Sequence, residues 1–125
     1  MSRQVITTDA APKSAAFSQA VVAAGLVFVS GQAAFDPATG EIVGTTIQEQ
    51  TRQCLTNVAA ILEAAGSSMD KLVSATVILR DPGDFAGMNE EWMSWFPTDP
   101  PARQGAALPV DVPGLLVSFA AIASL

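Results

Sequence analysis

Histidine and tyrosine are absent from the 125 residues, cysteine occurs once, and charged residues make up only 14% of the chain. Without imidazole there is no Ser-His or Cys-His nucleophile pair and no histidine metal ligand. The twelve acids are dispersed, and no acid-rich loop forms that could cage a hard cation. A carboxylate-only metal site is conceivable, but this pattern gives it no support. The lone Cys54 excludes an intrachain disulfide, which agrees with a reducing compartment. No apolar run approaches the ~20 residues needed to cross a bilayer. The opening residues, Met1-Ser-Arg-Gln-Val, lack the apolar core of a secretory signal. A cytoplasmic protein with no membrane contact is the expectation.

Basic residues are scarce as well. Arg3, Lys13, Arg52, Lys71, Arg80 and Arg103 stand against twelve acids, giving a net charge of −6. They are scattered, so no stripe exists to neutralise a phosphate backbone, and nucleic-acid binding is disfavoured. What the chain has in excess is apolar: 50% of it is hydrophobic. So many apolar residues with so few charges to cover a surface point to burial against further copies of the chain. The alternative is a monomer with an alanine-rich interior.

The length suits one domain over residues 1–125, since domains commonly run about 100–150 residues. A short strand is expected near Arg3-Gln-Val-Ile-Thr, closed by Pro12. Phe17 to Ala23 and Leu26 to Ser30 flank the turn Ala24-Gly25 and read as a hairpin. Asp36-Pro-Ala-Thr-Gly40 is a loop. Thr46-Ile-Gln-Glu49 has capping-box spacing. Ile47, Thr51, Cys54, Leu55, Val58, Ile61, Leu62 and Ala65 then recur at steps of three and four, and Gly66 ends the helix. Val73 to Leu79 is a buried strand. Asp84 is placed to cap a second helix with Phe85, Met88, Trp92 and Trp95 or Phe96 on its apolar face, stopped by Pro97. Arg103 to Leu108 and Leu115 to Ala123 are the last strands. The order defines an α+β fold with two helices on one face of a mixed sheet.

Four segments carry a further signal. Ser30-Gly31-Gln32 with Pro37-Ala-Thr-Gly-Glu41 resembles the "SGQ" and "P-x-TGE" loops of the Rid (reactive intermediate deaminase, YjgF-like) family. Gln50, Gln53 and Asn57, followed by Glu63-Ala-Ala-Gly66, are similar to its "Q-x-x-Q-x-x-x-N…EAAG" helix. Asp84-Phe85 with Asn89 resembles its "DF-x-x-x-N" helix start, and Pro101-Ala102-Arg103 its "PAR" strand. The resemblance runs in order over nearly the whole chain. It implies a chorismate-mutase-like fold, a homotrimer, and pockets between subunits. It also implies hydrolysis of reactive 2-imino or 2-enamino acids to 2-oxo acids and ammonia, with no cofactor. Some relatives are described as ribonucleases, a reading that the acidic, histidine-free composition does not support.

Arg103 is the leading site residue. A guanidinium forks onto a carboxylate with two parallel hydrogen bonds and stays charged; the bland alternative is a solvated or ion-paired structural arginine. Gly105, two residues on along the same strand face, would let a ligand approach backbone amides closely, or only ease packing. Ser30 and Gly31 could offer backbone groups at a strand end, or form a tight bend. Asn89 matches the family helix, although an asparagine in a first helical turn more often satisfies backbone groups. Cys54 reads as an inert core thiol, and Trp92 and Trp95 as packing residues.

Three positions depart from the family pattern. Where its deaminases carry a glutamate in an "I-E-A-x-A" stretch, this chain has Ala120; its usual tyrosine is Phe17, and its usual cysteine is Gly105. The leading expectation is an imine/enamine deaminase in which Arg103 anchors the substrate carboxylate. The competing one is a non-catalytic trimer that binds small carboxylate metabolites, favoured by Ala120; a partner-binding scaffold is the third. Phe17 and Ala120 make the pocket less polar than usual, so apolar ligand tails are expected.

Overall fold

The computed structural model describes residues 2–125. Six strands form one sheet: β1 (Gln4–Ile6), β2 (Ala20–Ala23), β3 (Leu26–Ala33), β4 (Leu72–Leu79), β5 (Ala102–Ala107) and β6 (Val117–Ser124). Their order is β1-β2-β3-β6-β4-β5. Only the β4–β5 pair is parallel, because α2 (Phe85–Trp95) carries the chain between them; the other pairs are antiparallel.

The long helix α1 (Ile47–Ala64) follows from its sequence. Thr46 accepts from the Glu49 amide while the Glu49 carboxylate accepts from the Thr46 amide, a complete capping box. Seven of the eight stripe positions are buried, Ala65 being only partly so. Gly66, with φ +84, closes the helix: its amide donates to Glu63 and that of Ser67 to Leu62, a Schellman arrangement. α2 lies close against α1. A Cβ on Gly87 would sit 2.6 Å from Ile47, so only glycine permits this approach.

Three expectations change in detail. Asp84 does not cap α2 with its side chain; Asp81 instead accepts from the Gly83 amide and starts a short 3-10 turn that runs into the helix. Residues 17–19 precede β2 rather than belonging to it, because Gln19 is turned inward. Its side-chain amide donates to the carbonyls of Thr8, Ala11 and Pro12 and accepts from Thr8, pinning the N-terminal loop. Asn89 sits one full turn into α2, beyond the positions where amides need capping.

The sheet has two unlike faces. Val27, Val29, Ala75, Val77, Val117, Phe119, Ala121 and Ala123 point toward the helices and form the core with the α1 stripe. On the other face one apolar row crosses the strands: Val5 pairs with Val21, Val21 with Phe28, and Phe28 with Ile122. Phe28 is 42% exposed and Val5 49% exposed, and no helix covers this row.

Two buried amides on α1 tie the loops to this frame. Gln50 donates to the carbonyls of Gly44 (3.2 Å) and Gly114 (2.7 Å) and accepts from the Leu116 amide (2.9 Å). Asn57 donates to the carbonyls of Ala33 and Phe35 and accepts from Gln53. Replacing Gln50 by leucine strands three backbone groups that the fold hides from water. The expected cost is about 3 kcal/mol, read as a lower urea midpoint at unchanged slope.

Candidate functional site

Arg103 lies on β5, an edge strand, paired with the core residue Ala75 and therefore on the helix side of the sheet. Its guanidinium carbon stands 5.0 Å from the Trp92 ring centre and 5.5 Å from that of Phe85. Trp92 is itself held by Phe119, stacked at 5.8 Å, and by Phe96 at 4.5 Å. The guanidinium thus rests on a rigid aromatic platform. Among the described residues its one other contact within hydrogen-bonding range is a weak one to the Met88 sulfur at 3.7 Å.

No carboxylate answers it. Among the described residues the ion pairs are Lys13–Asp9, Arg52–Glu91 and Arg80–Asp111, and none includes Arg103. Partial burial pushes its pKa below the usual arginine value, yet a guanidinium stays protonated at neutral pH. A partly desolvated cation without a counter-charge is chemically suited to pair with an anion.

Gly105 follows on the same side. A Cβ there would meet only Val77 within 4 Å, at 3.6 Å, so the space above the strand is open. The Leu108 amide donates inward to Leu79. Amides of a parallel strand alternate in direction, so that of Gly105, an odd number of residues earlier, faces the open edge. Asn89 stands one turn after Phe85 on α2 and is partly exposed.

The remaining candidates lie elsewhere. β3 carries one extra residue between Val29 and Gln32, which pair with Ala121 and Phe119. This bulge, made by Ser30 and Gly31, faces Ala120, which pairs on its other side with Thr76. Ala120 and Thr76 belong to the helix-free face, and Gln104 beyond them donates to the Thr76 hydroxyl at 2.6 Å. Phe17 and Gly31 line one cavity of about 470 Å³ with Gln32, Ile78 and Leu108. Ser30 has little to offer as a donor: its hydroxyl donates to Ser18 and its amide to Gln19. Gly31 is unobstructed.

Sequence reasoning thus selected residues that form two groups. Arg103, Gly105 and Asn89 gather on the helix side, while Phe17, Ser30, Gly31 and Ala120 gather around the opposite face. It missed Phe85 and Trp92 as the arginine's platform; their helical spacing indicated packing, and only the register of β5 brings the cation over them. Cys54 is fully buried, and burial drives its thiol pKa strongly upward, consistent with an inert core residue.

Glu91 fixes α2 over this site. It accepts from Arg52 on α1 (2.9 Å) and from the Trp95 indole (2.8 Å). Burial alone would raise its pKa, but the bonds from Arg52 and Trp95 outweigh that and leave it lowered. A lowered folded-state pKa stabilises above the unfolded value, and the contribution disappears as pH falls through the folded one. Glu91→Gln is expected to cost about 1 kcal/mol at neutral pH. Urea titrations should show wild type and variant converging as the pH falls through the lowered folded-state pKa of Glu91.

A two-layer α+β fold, one mixed sheet covered on one face by two helices, is the class of structure that the chain adopts. The family model described as endoribonuclease L-PSP matches residues 7–124. The chain is 46% identical over 125 residues to a RutC family protein of Pyrococcus horikoshii, covering 97% of each chain. It is 40% identical over 111 residues to the 2-iminobutanoate/2-iminopropanoate deaminase of Capra hircus, covering 86% of this chain and 81% of that one. A crystal structure of a Rid family protein from Yersinia pestis superposes with a TM-score of 0.92 at 33% identity, covering 99% of this chain and 100% of that one. The chain belongs to the endoribonuclease L-PSP family, the Rid proteins. Among the described residues no helix is long and apolar enough to cross a membrane.

Proposed function

We propose that this protein hydrolyses small 2-imino or 2-enamino acids to 2-oxo acids and ammonia, in pockets closed between subunits of a homotrimer. The observation that carries this reading is the free guanidinium of Arg103 on its aromatic platform. It binds the substrate carboxylate through two parallel hydrogen bonds. The outward Gly105 amide and Asn89 lie along the same side to orient the imine. Water adds to the imine carbon and passes one proton to the substrate nitrogen; the hydroxyl proton of the resulting carbinolamine then moves to that nitrogen as the C–N bond breaks, releasing ammonia and leaving the carbonyl. Such hydrolysis needs orientation more than a strong base.

Strand parity supports subunit closure. In one chain the sheet separates Arg103 and Gly105 from Gly31 and Ala120, so a pocket that uses both groups takes them from two copies. The uncovered row of Val5, Val21, Phe28 and Ile122 supplies an apolar surface for that assembly. The 40% identity to a named imine deaminase supports the same chemistry.

The test generates iminopropionate or iminobutyrate in situ with an amino-acid oxidase and follows its decay. Faster decay with the protein present is expected; an unchanged rate rejects the proposal. Ala120 specifically favours a second reading, a trimer that binds small carboxylates without turning them over. Saturable 2-oxo-acid binding with no turnover of any imine would select it. The net charge of −6 also fits a cytoplasmic protein without nucleic-acid or membrane partners.

A further inference from the structure

Beside the arginine platform lies a cavity of about 400 Å³ between the start of α2 and the outer edge of β5. Val77, Leu79, Pro82, Phe85, Gly105 and Ala107 give it mainly apolar walls, together with Arg80, whose guanidinium is paired with Asp111 at 2.7 Å. Two features join it to the anion site. The Phe85 ring belongs to both, contacting the Arg103 guanidinium and forming the cavity wall. Gly105 and Ala107 follow Arg103 on the same side of β5, at about 7 Å per two residues, so the cavity runs along the strand away from the bound carboxylate.

The opening depends on one small residue. A side chain at Gly105 would project over Val77 into this space, whereas glycine leaves it clear. A two- or three-carbon tail would leave most of the volume empty, while a branched four-carbon tail reaches the apolar lining.

We infer that Gly105 sets the substrate class, admitting 2-imino acids and their 2-oxo products with branched or long apolar tails, as derived from leucine or methionine, in preference to alanine-derived ones. This rests on the proposed carboxylate role of Arg103. Each additional buried methylene strengthens binding roughly fourfold, so an isobutyl tail is expected to exceed a methyl by at least about tenfold.

The experiment measures binding of pyruvate and of 4-methyl-2-oxopentanoate by calorimetry, and kcat/KM for the imines formed from alanine and leucine. Wild type should favour the leucine-derived member of each pair by about tenfold or more. Gly105→Val, which extended backbone accepts, should collapse that ratio. Ala107→Leu, filling the far end, should do the same and stands in if the valine variant fails to fold. Equal affinities in wild type, or a preference that survives both variants, would overturn the inference. If imines are turned over without tail preference, it falls alone and the deaminase reading stands. If no imine is turned over but the oxo acids bind with the tail preference, it holds for a binding protein. If neither oxo acid binds, both readings fall.

Discussion

Arg103→Ala is expected to reduce kcat/KM for 2-imino acids by on the order of 10²–10³-fold while leaving the fold intact. Among the described residues the guanidinium forms no ion pair, so its removal orphans no acid there. What disappears is a pair of charge-assisted hydrogen bonds to the ligand, worth about 3–4 kcal/mol together in a half-desolvated site. The loss from the aromatic stack is about 1 kcal/mol, which keeps the urea midpoint near that of wild type. Arg103→Lys should recover only part of the activity, because an ammonium is a point charge without the planar fork. Oxo-acid affinity and imine turnover should fall together. If turnover were the same in Arg103→Ala as in wild type, the carboxylate-binding role would be wrong.

Ala120→Glu is expected to raise turnover by on the order of 10²-fold, the lower range of what a positioned acid or base contributes. The position faces the Ser30–Gly31 bulge on one side and Thr76 on the other. It is partly exposed, so a carboxylate there keeps some hydration. The neighbouring Thr76 hydroxyl accepts from Gln104, which leaves its own proton available to donate to the new carboxylate. The gain should appear in kcat, with oxo-acid affinity changed little, and should rise through the ionisation of the new carboxyl. An unaltered rate would show that water at this face needs no assistance, or does not approach from it.

How far the sequence could be read is clearest in particular elements. The capping box at Thr46, the stripe from Ile47 to Leu62 and the terminus at Gly66 were legible because helix periodicity and caps are local. The hairpin turn at Ala24-Gly25 was legible for the same reason. Gln50, Gln53 and Asn57 were visible only as a recurring pattern. Their purpose, holding loops at Gly44, Gly114 and Phe35, depends on contacts up to 66 residues away. The role given to Asp84 passed to Asp81 because the chain tightens into a 3-10 turn before α2. Arg103 stood out by motif and chemistry, but its platform did not, since Phe85 and Trp92 meet it through a crossover connection that no local rule encodes. The division of candidates between two sheet faces was likewise invisible until strand register fixed which way each side chain points.

That division has an energetic consequence. Side chains at residues 105 and 120 project from opposite faces of the sheet, on strands separated by β4, so their effects on unfolding free energy should approximately add. In rate measurements the two positions have no such isolation if adjoining copies set them against one ligand. A thermodynamic cycle that closes to zero for folding yet not for catalysis would therefore detect quaternary contact from kinetics alone, without weighing the particle.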